Sequence, residues 1–182
     1  MKSELTPFDG LHIIHPAVFT DERGYFFESF NMNKFRELTN FKGEFVQDNQ
    51  SLSRKNVVRG LHFQAPPFAQ AKLIRVVRGA VIDFALDIRK TSPTYGKCFS
   101  LEINDKNNIA LFIPEGFAHG FTSLTDDTVF LYKCSEYYNK ESEQTLLWND
   151  PILNIDWGCK NPIVSEKDKT GLNFNSFNSP FK

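Results

Sequence analysis

The sequence is short of almost everything that would mark a membrane, nucleic-acid, disulfide or metal protein. No apolar run approaches the roughly 20 residues of a membrane-spanning helix, and the first residues, Met1 to Gly10, lack the apolar core of a signal peptide. Formal net charge is −1, so no global basic field recruits nucleic acid, and an anionic ligand has to be held by a local group of Arg and Lys. Cysteine is limited to Cys98, Cys134 and Cys159. An odd number, widely spaced and without a CxxC pair, suits reduced thiols and a cytoplasmic location better than a disulfide frame or a zinc site. There is no GxGxxG loop for a dinucleotide. Internal repeats, low-complexity tracts and a dividing linker are also missing. The 182 residues therefore read as one domain, with a core over about 18–168 and a C-terminal tail over 169–182.

What is present is period two. From Ala80 to Ile88, the residues Ala80, Ile82, Phe84, Leu86 and Ile88 share one face; Val81, Asp83, Ala85 and Asp87 share the other. Similar runs cover Glu44–Asn49, Val57–Gln64, Lys72–Val77, Phe99–Ile103, Ile109–Ile113 and Val129–Tyr138. Turn residues separate them, as in Arg78-Gly79, Ser92-Pro93-Thr94-Tyr95-Gly96 and Thr125-Asp126-Asp127. Many short strands joined this way predict an all-β fold, a jelly-roll sandwich or barrel with a few short helices. One helix is expected at Met32–Leu38, capped by Asn31 or Asn33. The tail beyond Pro151 reads as irregular, with helical content limited to a single turn. Phe is abundant, 19 residues against two Met and two Trp, which a β-rich core and a biased genome both account for.

Four stretches place polar residues on strand patterns where core is expected. Phe45-Val46-Gln47-Asp48-Asn49 leads into Val58-Arg59-Gly60-Leu61-His62-Phe63-Gln64, in which Gln47 pairs with Asn49, and Gly60 with His62 and Gln64, on common faces. Gln70-Ala71-Lys72-Leu73-Ile74-Arg75 and Pro114-Glu115-Gly116-Phe117-Ala118-His119-Gly120 follow. The last, Tyr132 to Tyr138, puts those two tyrosines on one face of an extended strand. Singly, each residue has an ordinary structural use: a hydrogen-bonded core His, packed tyrosines, solvated edge charges. His12 and His15 have nothing around them to suggest more. Together, a His, a nearby Lys and Arg, and tyrosines on a facing strand suit acid–base work on an anionic ligand in the mouth of a barrel.

A metal site is the competing use of such histidines. Pro114-x-Gly116-x-x-His119 is similar to the second half of the metal signature of cupins, a jelly-roll family. The first half requires an H-x-H pair, and here the segment is His62-Phe63-Gln64. Two imidazoles fall short of the three or four ligands normal for zinc or iron, so no metal is expected.

A further series of motifs runs in order along the chain. They begin with Val18-Phe19-x-Asp21-x-Arg23-Gly24-x-Phe26-x-Glu28, Phe45-Val46-Gln47-Asp48-Asn49 and Val58-Arg59-Gly60-Leu61-His62-Phe63-Gln64. Ala69-Gln70-x-Lys72-Leu73, Asp87-Ile88-Arg89-x-x-Ser92-Pro93-Thr94-Tyr95-Gly96 and Pro114-x-Gly116-Phe117-Ala118-His119-Gly120-Phe121 continue the series. Leu131-Tyr132-Lys133, Trp148-Asn149-Asp150-Pro151 and Ser165-Glu166-Lys167-Asp168 complete it. In this ordered set the chain closely resembles the dTDP-4-dehydrorhamnose 3,5-epimerases. The resemblance implies a cupin-like homodimer without cofactor that inverts C3 and C5 of a nucleotide-linked 4-keto sugar in deoxysugar and surface-polysaccharide biosynthesis. It assigns His62 as general base, Asp168 as its carboxylate partner, Tyr132 as general acid and Lys72 as the cation at the C4 oxygen. Substrate binding would fall to Arg59, His119, Gln47, Asn49, Glu143 and Lys167, with Tyr138 stacked on the nucleobase. Arg23 and Glu28 would reach the site from the partner subunit.

These residue types fit the reaction. A C4 ketone acidifies the hydrogens at C3 and C5 because the carbanion delocalises as an enolate. Imidazole is a base near neutral pH, and a phenol of ordinary pKa about 10 stays protonated until the enolate forms. The family's usual Trp-Pro is Trp157-Gly158 here, and the segment from Gly171 onward departs from the family pattern. Residue types alone do not choose between dTDP-4-keto-6-deoxyglucose and a GDP-4-keto-heptose. They also leave open a single-centre C3-epimerase, a 3,4-ketoisomerase and a non-catalytic sugar-nucleotide-binding jelly roll.

Overall fold

A computed structural model describes residues 1–182. In chain order the strands are β1 (Lys2–Leu5), β2 (His12–His15), β3 (Phe19–Asp21), β4 (Gly24–Phe26), β5 (Gln47–Ser53), β6 (Val57–Gln64) and β7 (Lys72–Arg78). They continue with β8 (Ala80–Asp87), β9 (Cys98–Asn104), β10 (Ala110–Ile113), β11 (Phe117–Ser123), β12 (Thr128–Cys134), β13 (Glu143–Thr145) and β14 (Ile163–Val164). Helix α1 spans Met32–Thr39 and α2 spans Glu166–Lys169. The protein is thus mostly β, as the period-two runs predict.

Two sheets carry the molecule. The first has the order β1-β2-β10-β7-β12-β5, and the second β13-β6-β11-β8-β9 with β14 added beside β6. Strands β3 and β4 form a separate hairpin. Ile13, Ile74, Val76 and Leu111 of the first sheet interlock with Val81, Ala85, Ile103, Phe117 and Phe121 of the second, so the sheets face each other across one apolar layer.

Both outer faces are covered as well. On the first sheet α1 buries Phe35 completely against Leu73, Ala110 and Phe112. Full burial of one Phe contributes about 2–3 kcal/mol. Asn31 starts this helix, its Oδ1 accepting from the Lys34 N–H at 3.2 Å, and Asn40 ends it in the left-handed region at φ 57°. Asn31, rather than Asn33, is therefore the cap, and the helix runs one residue past Leu38.

The second sheet's outer face corrects the reading of the tail. Ile82, Phe84, Leu86 and Ile88 point away from the first sheet and pack with Trp157, Phe174, Phe177 and Phe181. Beyond Pro151 the chain holds β14, α2 and a 3-10 turn at Phe174–Ser176, more order than the single helical turn expected, and its last residues are core material. The Ser179 hydroxyl donates to the Ile88 carbonyl, and Phe177 sits edge-on to Phe63 at 5.5 Å. A second correction concerns Tyr138. The strand that contains Tyr132 ends at Cys134, so Tyr138 lies in the following loop and not on the same strand face. Likewise the Glu44–Asn49 run is shifted: β5 begins at Gln47 and continues to Ser53.

Candidate active site

At one end of the layer between the sheets the apolar side chains give way to polar ones. Two adjoining lobes of about 350 and 360 Å³ open there, and Asn49, His62, Lys72 and Tyr132 line both. Gln47, Tyr138 and Glu143 belong to the first lobe; Arg59, His119, Lys167 and Asp168 belong to the second. Eleven of the thirteen residues expected at the site are therefore brought together.

The local reason lies in β6 and β11. Gly60 has φ +136°, and a Cβ there would come within 2.6 Å of the Gly120 Cα; a Cβ on Gly120 would lie 2.7 Å from the Arg59 carbonyl oxygen. Two facing glycines let these backbones approach closely, and His62 then sits directly opposite His119 in the ladder. Asn49 faces Tyr132 across β5 and β12, and Lys72 faces Cys134 across β7 and β12.

Asp168 arrives from far along the chain. Strand β14 pairs parallel to β6, Ile163 beside Val57 and Val164 beside Val58, and so delivers Ser165 to the sheet edge. Ser165 caps α2 by accepting the Asp168 N–H at 3.2 Å. The short helix then points Asp168 inward, where the residue is 2 % exposed.

His62 Nε2 lies 2.5 Å from Asp168 Oδ1, a charge-assisted hydrogen bond in which the imidazole N–H donates. With Nε2–H engaged, Nδ1 is the nitrogen with the free lone pair. Burial, the largest single influence, pushes the Asp168 carboxyl up, but the hydrogen bond and attraction of His62, with the contacts from Ser165 and the Gly60 N–H, together hold the group below the ordinary carboxylate range. The Gly60 N–H adds a long contact of 3.5 Å to Oδ2. Asp168 is thereby kept ionised behind the His62 ring.

Across the lobes stands Tyr132, whose phenol is pushed up by burial and stays protonated at neutral pH. Lys72 is 9 % exposed and its ammonium has no hydrogen-bond partner in the chain. Burial pulls its pKa down, against the opposing pull of Cys134, Asp83 and Glu143. Its unbonded amine is shared by both lobes of the cavity. Arg59 is steadied by Ser53, whose hydroxyl accepts from Nε at 3.2 Å, and by the Leu52 carbonyl at 3.3 Å.

At the rim Tyr138 is 56 % exposed. Its backbone N–H donates to Gln47 Oε1 at 2.9 Å and its phenol to Glu143 Oε2 at 3.1 Å. Glu143 also pairs with Lys167 at 2.6 Å. Gln64 stands where cupins carry a metal-binding His, and it is fully engaged elsewhere. Its amide donates to the carbonyls of Phe68 and Tyr137 and accepts the Asn139 N–H. It braces the loop that presents Tyr138.

Arg23 and Glu28 do not join this set within the chain. Arg23 is paired with Asp21 on the exposed β3–β4 hairpin, and Glu28 with Lys34 and Asn31. A separate cavity of about 220 Å³ opens on the outer face of the first sheet, beside Phe30, Asp48, Arg75 and Lys133; it contains no histidine.

Sequence reasoning passes over Asp83. It is fully buried, and one of its oxygens accepts from His119 Nε2 at 2.9 Å. The other oxygen has no partner. An acidic residue set between Val81 and Ala85 on one strand face is the signal that could have found it. Ser53, the support of Arg59, carried no such signal.

An imidazole backed by a carboxylate, lining the same lobe as a protonated phenol, has the chemistry to exchange protons with a ligand between them. The sequence signature of the family described as dTDP-4-dehydrorhamnose 3,5-epimerase covers residues 5–176. The chain belongs to that family. It is 51% identical over 162 residues to the dTDP-4-dehydrorhamnose 3,5-epimerase of Shigella flexneri, an alignment covering 89% of this chain and 90% of the relative. The crystal structure of dTDP-4-dehydrorhamnose 3,5-epimerase from Elizabethkingia anophelis superposes with a TM-score of 0.92 at 48% identity, covering 96% of this chain and 97% of that one. The Legionella pneumophila dTDP-6-deoxy-D-glucose-3,5-epimerase, solved in complex with dTDP-4-keto-L-rhamnose, gives 0.93 at 42% identity over 97% and 94%.

Proposed function

We propose that this member of the family inverts both C3 and C5 of dTDP-4-keto-6-deoxyglucose, giving the 4-keto-L-rhamnose nucleotide, without metal or nicotinamide. The observation that carries the reading is the His62–Asp168 pair facing Tyr132 across a cavity with an unpartnered Lys72 in its floor. The nucleotide is dTDP rather than GDP because the similar enzymes are named for dTDP sugars.

His62 Nδ1 takes the proton from the carbon beside the ketone, and Asp168 stabilises the imidazolium that forms. Charge moves to the C4 oxygen, where Lys72 stabilises it; a preorganised donor of this kind is worth about 3 kcal/mol in the transition state. Tyr132 delivers a proton to the opposite face of the carbon, which inverts it. The imidazolium then releases its proton to solvent and the tyrosinate is reprotonated from solvent, so both groups are reset before the cycle repeats at the second centre. Arg59 and Lys167 hold the phosphates, His119, Gln47, Asn49 and Glu143 fix the sugar and nucleoside, and Tyr138 stacks on the base.

The two sheets form a cupin-like jelly-roll barrel, residues 1–182 act as a single domain, and the enzyme is a cytoplasmic homodimer. Arg23 and Glu28, which stay outside the cavity of their own chain, enter the partner's cavity. Proton NMR in D2O with dTDP-4-keto-6-deoxyglucose tests the activity. Deuterium entering both C3 and C5 is the expected result. Incorporation at C3 alone makes the protein a 3-epimerase, and tight binding without exchange makes it a sugar-nucleotide-binding module.

A further inference from the structure

Alternate residues of β5 turn Gln47, Asn49, Ser51 and Ser53 toward the cavity. Three of the four have partners. Gln47 accepts from Tyr138 N–H and donates to Asn49 Oδ1 at 3.1 Å; Asn49 Nδ2 reaches Cys134 Sγ at 3.5 Å; Ser53 holds Arg59. Ser51 Oγ is shut off from solvent and makes no hydrogen bond at all. A hydroxyl left in that state is destabilising, and an alanine on this face would avoid the penalty. The residue is half-buried and lines the same lobe as His62, Arg59 and Tyr132.

Register says what Ser51 would meet. Asn49 is opposite Tyr132, and Ser51 is one step further along, opposite Phe130. The next inward residue, Ser53, carries Arg59. Ser51 therefore stands between the phenol that serves the sugar and the guanidinium that serves a phosphate. A serine hydroxyl turns about a single χ1 bond, enough to swing it from the strand wall into the lobe.

We infer that Ser51 is a ligand-binding residue: its hydroxyl donates to an oxygen of the glycosyl diphosphate where sugar and phosphate meet. The inference rests on the nucleotide-sugar reading above. The acceptor is an oxygen of the sugar-proximal phosphate or a hydroxyl of the sugar, and two ligands separate these sources.

The test is Ser51→Ala in the full chain, with calorimetric titration of dTDP and of dTDP-glucose, steady-state epimerisation and a thermal melt. Affinity for dTDP-glucose should fall roughly ten-fold, with KM rising in parallel and kcat changing less. The melting temperature should hold or rise, because the unpartnered hydroxyl is gone; a merely structural serine would lower it and leave KM alone. Equal weakening of dTDP and dTDP-glucose puts the acceptor on the phosphate, and weakening of dTDP-glucose alone puts it on the sugar. If Ser51→Ala binds both ligands and turns over like the parent, the inference is wrong while the activity stands. If the parent itself neither binds dTDP nor exchanges hydrogen, both readings fall together.

Discussion

Two His–Asp pairs are built one strand apart, His62 with Asp168 and His119 with Asp83, and their histidines face each other in the β6–β11 ladder. Their surroundings differ. Asp168 sits behind a half-buried imidazole at the cavity wall, and His62, Ser165 and the Gly60 N–H together hold its carboxyl below the ordinary range despite burial. Asp83 is sealed, with one oxygen unpartnered, and burial pushes its carboxyl up against the pull of His119 and Lys72. His119 is itself pulled down by burial, more than Asp83 restores. The same two side chains thus yield a half-buried imidazole with a firm counter-charge in one place and a sealed, neutral imidazole in the other. Depth and the count of hydrogen bonds to the acid, not residue type, separate the roles.

The largest expected effect comes from breaking the first pair at its base. His62→Asn should lower deuterium exchange at both C3 and C5 by about 10³-fold or more, with dTDP affinity held within a few-fold; NMR exchange and calorimetry read the two quantities. His119→Asn is the control on the comparison. It should act mainly on KM, with kcat down by about ten-fold at most. Equal losses of kcat in the two variants would erase the distinction drawn between the pairs.

Next in size is Tyr132→Phe. Removing the acid leaves His62 and Lys72 able to form the enolate, so deuterium should still wash into the carbon beside the ketone. The product, however, should keep its original configuration at one or both centres, with net inversion down by about 10²-fold. Full double epimerisation by this variant would show that the proton comes from elsewhere.

How much of this was legible in the residues alone depends on the range of each contact. The sheets were, because alternation along Ala80–Ile88 or Val57–Gln64 is local. Even there the pattern could not say which face met the other sheet: Val81 and Ala85 do, while Ile82, Phe84 and Leu86 meet the tail. Tyr138 was misplaced onto a strand because alternation continues past Cys134 after the hydrogen-bonded ladder stops. The His62–Asp168 bond joins residues 106 apart, and no spacing rule reaches that far. It was legible only through resemblance to a family. Asp83 had no such help, and its meaning depends on a histidine from another strand.

The smallest effect is on stability, and its sign differs between the two acids. Asp168 has a folded pKa below its unfolded value of about 4. Its contribution is therefore fully present above that value and is lost as pH falls through the folded pKa. Asp83 has a folded pKa above the unfolded one, so its contribution is complete below about pH 4 and is lost as pH rises through the folded pKa. At pH 7 Asp168→Asn should then lower the melting temperature by about 2–5 °C, whereas Asp83→Asn should leave it level or raise it by a similar amount. An amide at position 83 can still accept from His119 Nε2–H while shedding the buried charge. Melts of both variants at pH 7 and pH 4 check this, and the gap between them should narrow toward the acid end. A drop at pH 7 for Asp83→Asn as large as that for Asp168→Asn would mean that the sealed pair is ionised and bonded like the open one.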